Sequence, residues 1–369
     1  MTTGRRFTVV GLMSGTSMDG IDAAVLETDG DSVLLAGAYR GNAYPTWLRR
    51  TLLRLPAADV DIGEVERAVT DLHAEVVRAL CTQTDLKLEA VDLIGFHGQT
   101  IRHEPEAGRT WQLGDGQRLA DALGCTVVNQ FRQNDLDHGG QGAPLAPAYH
   151  RALIRSTGLD EPVAVLNIGG VSNVTLVDGE LLYACDCGPG NALIDDWVSQ
   201  RFNIPFDEGG QKAAAGQVNL AALTTLLESP FFGRSGPKSL DRNAFSPAPV
   251  APLSGEDGAA TLTAFTAAAI ALEAQRLPGA PGSWIVVGGG RRNLQLLREL
   301  RARLKVPVQT AEDVGWSGDA IEAQAFGYLA VRSALQWPLS WPGTTGVSAP
   351  VTGGVRWQPS GRGSCIGLR

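Results

Sequence analysis

The chain has 369 residues, 44% apolar and 19% charged, with 39 acidic side chains against 31 basic ones and a net charge of −8. That length supports two domains with substantial cores. The acidic balance excludes the basic footprint of a nucleic-acid binder, and the longest low-polarity stretch, residues 259–272, is too short to span a membrane.

The five cysteines (Cys81, Cys125, Cys185, Cys187 and Cys365) form no even disulfide framework, and Cys185-x-Cys187 lacks zinc spacing. A reducing cytoplasm is expected. No signal peptide is read, because residues 1–6 run straight into a first strand.

In chain order, apolar runs at 7–13, 21–27 and 32–39 predict a strand meander. Residues 47–55 and 63–82 predict helices; in the second, Val65, Val69, Leu72, Val76 and Leu80 recur at helical spacing. Residues 91–96 read as a buried strand ending in His97-Gly98-Gln99-Thr100, followed by a short strand at 111–113, a helix at 115–123 and a strand at 125–128. A Gly-rich loop at 139–144 leads into a helix at 145–156. A second unit of the same kind opens near Pro162, with strands at 163–167, 171–177 and 181–185, then helices at 191–201, 217–227 and 259–276. A strand at 284–287, a helix at 293–304 and a last long helix at 320–334 follow. The tail beyond Trp337, rich in Pro, Gly, Ser and Thr, is expected to be poorly ordered at its end.

Two units that each open on a meander ending in a Gly-rich turn predict two α/β lobes with a cleft between them. The expected N-terminal lobe is 1–157, with about 338–369 returning to it, and the C-terminal lobe is 158–337.

The first Gly-rich turn reads Gly15-Thr16-Ser17-Met18-Asp19-Gly20-Ile21-Asp22 between two strands. Gly15 and Gly20 can take positive φ, Thr16 and Ser17 offer donors to phosphate oxygens, and Asp19 can hold hydrated Mg²⁺. The other reading is a plain β-hairpin. The turn is neither a Walker A loop nor a dinucleotide loop. Three more Gly-rich turns follow strands: Gly169-Gly170-Val-Ser172-Asn173, Gly188-Pro189-Gly190-Asn191 and Gly288-Gly289-Gly290. Several such turns at strand ends can converge on one ligand.

Asp186 ends a strand before the Gly-Pro-Gly turn, where a carboxylate can serve as general base or merely cap the turn. Arg132 is a candidate clamp for a carboxylate or phosphate, or a surface partner of Asp135. His97 and His103 flank a loop and read as structural rather than metal-binding. Glu322 reads on propensity as a solvated helix carboxylate, with a ligand role as the alternative.

Taken together these motifs resemble the anhydro-N-acetylmuramic acid kinase family. The resemblance runs through Gly-Thr-Ser-Met-Asp-Gly-Ile-Asp at 15–22, His-Gly-Gln-Thr at 97–100, Gly-Gly-Gln-Gly-Ala-Pro at 139–144 and Asp-Cys-Gly-Pro-Gly-Asn at 186–191. It implies the sugar kinase, heat-shock chaperone and actin superfamily, with two ribonuclease-H-like lobes and ATP in the cleft. It implies ATP binding by 15–22, a second phosphate loop at 169–173 and an adenosine loop at Gly288, Gly289, Gly290 and Asn293. It also implies Asp186 as catalytic base and Arg132, Glu322 and His97 as sugar-binding positions.

The implied substrate is 1,6-anhydro-N-acetylmuramate, opened by water and phosphorylated to N-acetylmuramate 6-phosphate, with ATP and Mg²⁺ as cofactors and a homodimer as the assembly. No nucleic-acid or membrane partner is expected. Cys187 stands where threonine is expected, Gln130 where aspartate is frequent, and Lys238-Ser-Leu-Asp-Arg242 where Lys-Ser-Thr-Gly-Arg is common. No catalysis is assigned to that last segment, and residues 356–369 read as an appendage. The rival readings are an actin-like or chaperone ATPase and a plain hexosamine kinase.

Overall fold

The structure is a computed structural model that describes residues 4–15, 17–55, 60–234, 236–240, 242 and 244–361. Thr16 and Cys365 lie outside the described residues.

The chain divides into two compact units, Met1–Gly158 with Asp319–Arg369, and Leu159–Gly318. The first unit opens with β1 (Phe7–Ser14), β2 (Gly20–Thr28) and β3 (Val33–Ala43), then α1 (Thr46–Leu52) and α2 (Ile62–Thr84). It continues with β4 (Leu93–Glu104), β5 (Arg109–Leu113), α3 (Gly116–Leu123), β6 (Val127–Asn129), α4 (Gln133–Asp137) and α5 (Pro147–Thr157). β1 pairs antiparallel with β2, and β2 with β3, while β4 runs parallel to both β1 and β6.

The second unit repeats that plan with β7 (Val163–Ile168), β8 (Val171–Asp178), β9 (Leu181–Pro189), α6 (Ala192–Phe202), α7 (Gln211–Ala215), α8 (Leu220–Leu227) and α9 (Gly255–Ala274). β10 (Ser283–Val287), α10 (Leu294–Leu304) and β11 (Val308–Thr310) complete it. Its sheet runs β11-β10-β7-β8-β9, and the seven-stranded first sheet contains the run β6-β4-β1-β2-β3, with β5 pairing β4 off that path. Both therefore carry the same order of three antiparallel strands and two parallel ones, the order expected of a ribonuclease-H-like lobe.

The chain then returns to the first unit through α11 (Ile321–Ala334), α12 (Pro342–Thr345) and β12 (Val355–Trp357). Two expectations are corrected here. Residues 319–337, assigned above to the C-terminal lobe, belong with the first unit, because α11 packs on β1, β2 and β4. An almost wholly buried helix needs such a platform on all sides. Residues 355–357 are no appendage: β12 pairs antiparallel with β6, and Trp357 Nε1 donates to Asn129 Oδ1 at 2.8 Å.

Local chemistry sets the helix starts. Asp61, Asp115, Ser254 and Asn293 each accept a backbone N–H of the helix that follows, the most economical way to satisfy its orphan donors. The cores are apolar: Val10, Leu12, Ile94 and Phe96 in the first unit, and Ala164, Leu166, Val174 and Val286 in the second, are fully buried. No helix among the described residues is long and apolar enough to cross a membrane.

Candidate active site

In the first unit the turn between β1 and β2 is built around Ser14. Its Oγ contacts Gly20 O at 2.9 Å, Gln99 Oε1 at 2.7 Å and Tyr44 Oη at 2.5 Å. Gln99 Nε2 donates in turn to Gly15 O at 2.7 Å. Neither Gly15 nor Gly20 adopts the positive φ open to it. That conformation falls to Met18, with φ of 51°, whose carbonyl oxygen accepts from Arg49 Nε at 3.1 Å. Ile21 is buried at the start of β2.

Asp19 is exposed and accepts from Ser17 Oγ at 2.7 Å. Asp22 accepts from the Tyr39 hydroxyl. Burial, then the charges of Asp19 and Asp319, push its carboxyl up to about 6, against the pull of the Tyr39 hydrogen bond. Mutually opposed carboxylates beside a polar turn make an electrostatic setting that a divalent cation relieves. No group of three metal-ligating side chains stands together among the described residues. The exposed Asp19 carboxylate and the Ser17 hydroxyl are donors that suit a hydrated cation.

Arg132 precedes the short helix α4. Its guanidinium donates to His97 Nε2 through Nε at 3.1 Å and Nη2 at 2.9 Å, and to Gly142 O through Nη1 at 2.8 Å. It does not pair with Asp135, the alternative raised by the sequence. The Asp135 carboxylate instead accepts from Gly142 N at 2.6 Å, Thr345 Oγ1 at 2.6 Å and Ser340 Oγ. His97 is buried, and its Nδ1 lies 2.7 Å from Gly98 O. That contact assigns the proton to Nδ1 and leaves Nε2 as acceptor for Arg132. Burial, then the Arg132 charge, holds the imidazole well below its ordinary value, hence neutral.

His97 therefore stands behind Arg132, with both ring nitrogens engaged. Glu322, exposed in the first turn of α11, acts on Arg132 electrostatically, opposing the burial that lowers the guanidinium to about 10. The structure thus brings Arg132, His97 and Glu322 into one neighbourhood within the first unit.

In the second unit three of the Gly-rich turns converge. Asn191 N donates to Gly169 O at 2.7 Å, Gly190 N to Gly170 O at 3.0 Å, and Asn191 Nδ2 to Ile168 O at 3.2 Å. Ser172 Oγ donates to Gly188 O and Pro189 O at 3.1 and 3.0 Å. The third turn, Gly288, Gly289 and Gly290, follows β10, whose Val287 sits opposite Asn167 on parallel β7. Asn293 is largely buried, and its Oδ1 caps α10 by accepting Leu296 N at 3.0 Å.

Asp186 lies at a bulge. Asn173 of β8 faces Asp186, but Ser172 faces Gly188, so Cys187 is the extra residue. A bulge kinks the strand and re-aims its side chains. Asp186 N donates to Lys238 O at 3.0 Å, and Leu240 N donates to Asp186 Oδ2 at 2.7 Å. Asp186 Oδ1 meets no hydrogen-bond donor among the described residues. Burial pushes the carboxyl up to about 7, with the Leu240 amide and the Lys238 charge pulling the other way.

The sequence matches the family described as anhydro-N-acetylmuramic acid kinase over residues 7–359. The chain belongs to that family. A relative of this name from Methylobacterium nodulans is 50% identical over 372 residues, covering 95% of this chain and 99% of its own. Another from Rhodopseudomonas palustris is 51% identical over 365 residues, with the same coverage of each chain. Among solved structures, component A of the (R)-2-hydroxyglutaryl-CoA dehydratase of Acidaminococcus fermentans aligns over 89% of this chain and 99% of its own, at 14% identity and a TM-score of 0.49.

The chain is accordingly a kinase that uses ATP. It opens and phosphorylates 1,6-anhydro-N-acetylmuramate, yielding N-acetylmuramate 6-phosphate in peptidoglycan recycling. Sequence reasoning missed Ser14, Gln99 and Tyr44 behind the first turn, and the 238–240 segment beside Asp186. Gln99 lay within a quoted motif. The 238–240 segment lay within Lys238-Ser-Leu-Asp-Arg242, to which the sequence alone assigns no catalysis.

Proposed function

We propose that Asp186 is the general base that activates the ring-opening water. The observation that carries this reading is the Asp186 carboxylate itself: one oxygen held by the Leu240 amide, the other without a protein donor among the described residues, and its proton affinity raised to about 7. A base poised near the working pH combines a large ionised fraction with real proton affinity.

The ether bridge of the substrate has no proton to abstract, so the base has to act on water, as in inverting glycoside hydrolysis. Water oxygen bonds to the anomeric carbon while its proton passes to Asp186 Oδ1. The bond from that carbon to the 6-oxygen breaks, and the electron pair stays on the 6-oxygen. That oxygen then bonds to the γ-phosphorus of ATP as the bond to ADP breaks, with in-line positioning and donors on the equatorial oxygens supplying the catalysis.

The backbone amides around Gly15, Ser17, Met18, Asp19 and Gly20, with Thr16, are the donors this reading assigns to phosphate in the first unit. Gly169 and Gly170 are those of the second. Gly288, Gly289, Gly290 and Asn293 are assigned to the adenosine, through backbone and packing, since the Asn293 carboxamide oxygen is engaged by α10. Arg132 has N–H groups to spare for an anionic sugar substituent. Glu322 accepts a sugar hydroxyl, and His97 keeps Arg132 in place.

Mg²⁺ belongs to this reading; Asp19, backed by Asp22, would hold it through water, and it neutralises charge on the ATP phosphates. The reading extends to a cytoplasmic setting, which four free buried thiols support, and to a homodimer, whose mass light scattering would give.

Replacing Asp186 by Asn tests the assignment. Turnover of ATP with the anhydro sugar should fall by roughly 10²–10⁴-fold, the usual contribution of a general base, while nucleotide affinity is retained. An Asp186→Asn enzyme with near-normal turnover would place the base elsewhere.

A further inference from the structure

Next to Asp186 the protein buries an ion pair. Lys238 Nζ lies 2.7 Å from Glu273 Oε2, each side chain 2% exposed. Nζ also donates to Arg234 O at 3.1 Å and sits 4.5 Å from the centre of the Phe231 ring. Glu273 Oε1 accepts from Cys185 Sγ at 3.3 Å, one residue before Asp186. The ammonium and both carboxylate oxygens therefore have partners. Replacing such a buried pair with apolar groups of similar volume is often neutral or stabilising, so the pair is weak evidence for stability and invites a different role.

Its backbone shows what that role is. The Lys238 carbonyl accepts the Asp186 N–H, and two residues later the Leu240 N–H donates to the Asp186 carboxylate. The 238–240 segment, which belongs to no helix or strand, brackets Asp186 on main chain and side chain at once. A segment without regular structure needs an anchor to keep such aim, and Lys238 ties it to Glu273 on the long helix α9.

We infer that Lys238 is a positioning residue: its ion pair with Glu273 fixes the 238–240 backbone, and that backbone aims the Asp186 carboxylate. The inference rests on the reading of Asp186 as the base. Lys238 is the charge that acts on that carboxylate, whose own charge bears on the Cys187 thiol; Glu273 from α9 acts on the Cys185 and Cys187 thiols of β9, with Tyr183 beside Cys185. Burial pushes both thiols up, so they stay protonated near neutral pH. The Leu240 amide and the Lys238 charge both favour the ionised carboxylate. Losing either one raises its proton affinity, and the acid limb of the activity profile then moves to higher pH.

The test uses the full-length enzyme with four variants. The pair Lys238→Met with Glu273→Leu removes both charges, so neither is left buried alone. Leu240→Pro removes the donating N–H and keeps the ion pair. Lys238→Arg keeps the charge, and Asp186→Asn reports on the base itself. The double variant and Leu240→Pro should each lose kcat by roughly tenfold or more, the effect of a misaimed group, with KM for ATP little changed. The acid limb of kcat/KM should move up in both, and Lys238→Arg should recover part of kcat. If one of the two does not fold, the other decides. Unchanged kcat and acid limb in a folded variant, with Asp186→Asn inactive, would overturn the positioning role alone. An active Asp186→Asn enzyme would remove the base reading and this inference with it.

Discussion

Asp186 is a carboxylate held where ionisation is costly. Its folded-state value of about 7 lies above the 3.8 of an unperturbed aspartate. Between those two values the folded chain binds more protons than the unfolded chain, so stability falls as pH rises through that window and the full cost is present above it. Asn pays no such cost. Asp186→Asn should therefore melt higher than the parent by roughly a few degrees at about pH 8, with the gap closing towards about pH 4. Melting curves at the two pH values check this. A gap that is equal at both would contradict the burial of an ionisable carboxylate there. Arg132 shows the opposite economy. Burial lowers it only to about 10, so it stays charged at neutral pH, with neutral His97 and the Gly142 carbonyl as acceptors.

At the scale of elements, α11 sits against the first sheet at two glycines. A Cβ on Gly11 would stand 1.8 Å from the Ala323 carbonyl oxygen, and one on Gly95 2.1 Å from that of Phe326. Both obstacles are helix backbone, which cannot turn aside as a side chain can. Gly11→Ala should thus destabilise the chain by at least the roughly 1–3 kcal/mol of an overpacked core. Because the displaced helix carries Glu322, which the reading above assigns to a sugar hydroxyl, that reading expects KM for the sugar to rise as well. Urea unfolding and sugar titration check the two effects, and a neutral Gly11→Ala would show that the helix has slack.

Much of this was legible in the sequence. Alternating or continuous apolar runs marked β1, β2, β7 and β10, and Gly-rich turns after β7, β9 and β10 marked three loops that come together in the second unit. What was not legible depends on contacts remote along the chain. Lys238 is 35 residues from Glu273, so its burial leaves no local trace. β12 is a three-residue strand that exists because β6 offers it an edge. Met18 took the left-handed conformation that glycine propensity assigned to its neighbours, since the Gly15 and Met18 backbones close their own turn at 3.2 Å.

Across the whole molecule, one plan is used twice. Each unit places its Gly-rich turns after parallel or hairpin strands of the same sheet order, the first carrying the Arg132 cluster and the second carrying Asp186. With a net charge of −8, the overall field of the chain does not favour a polyanion, and the reading proposed above gives that task to local amides. The family's reaction joins ring opening to phosphoryl transfer, and joining the two is the central claim about this chain. Incubating the enzyme with 1,6-anhydro-N-acetylmuramate, ATP and Mg²⁺ and weighing the product by mass spectrometry tests it most directly. The account predicts a sugar heavier by one water and one phosphoryl group. A phosphorylated sugar that keeps its anhydro ring, or ATP consumed with the sugar unchanged, would contradict it.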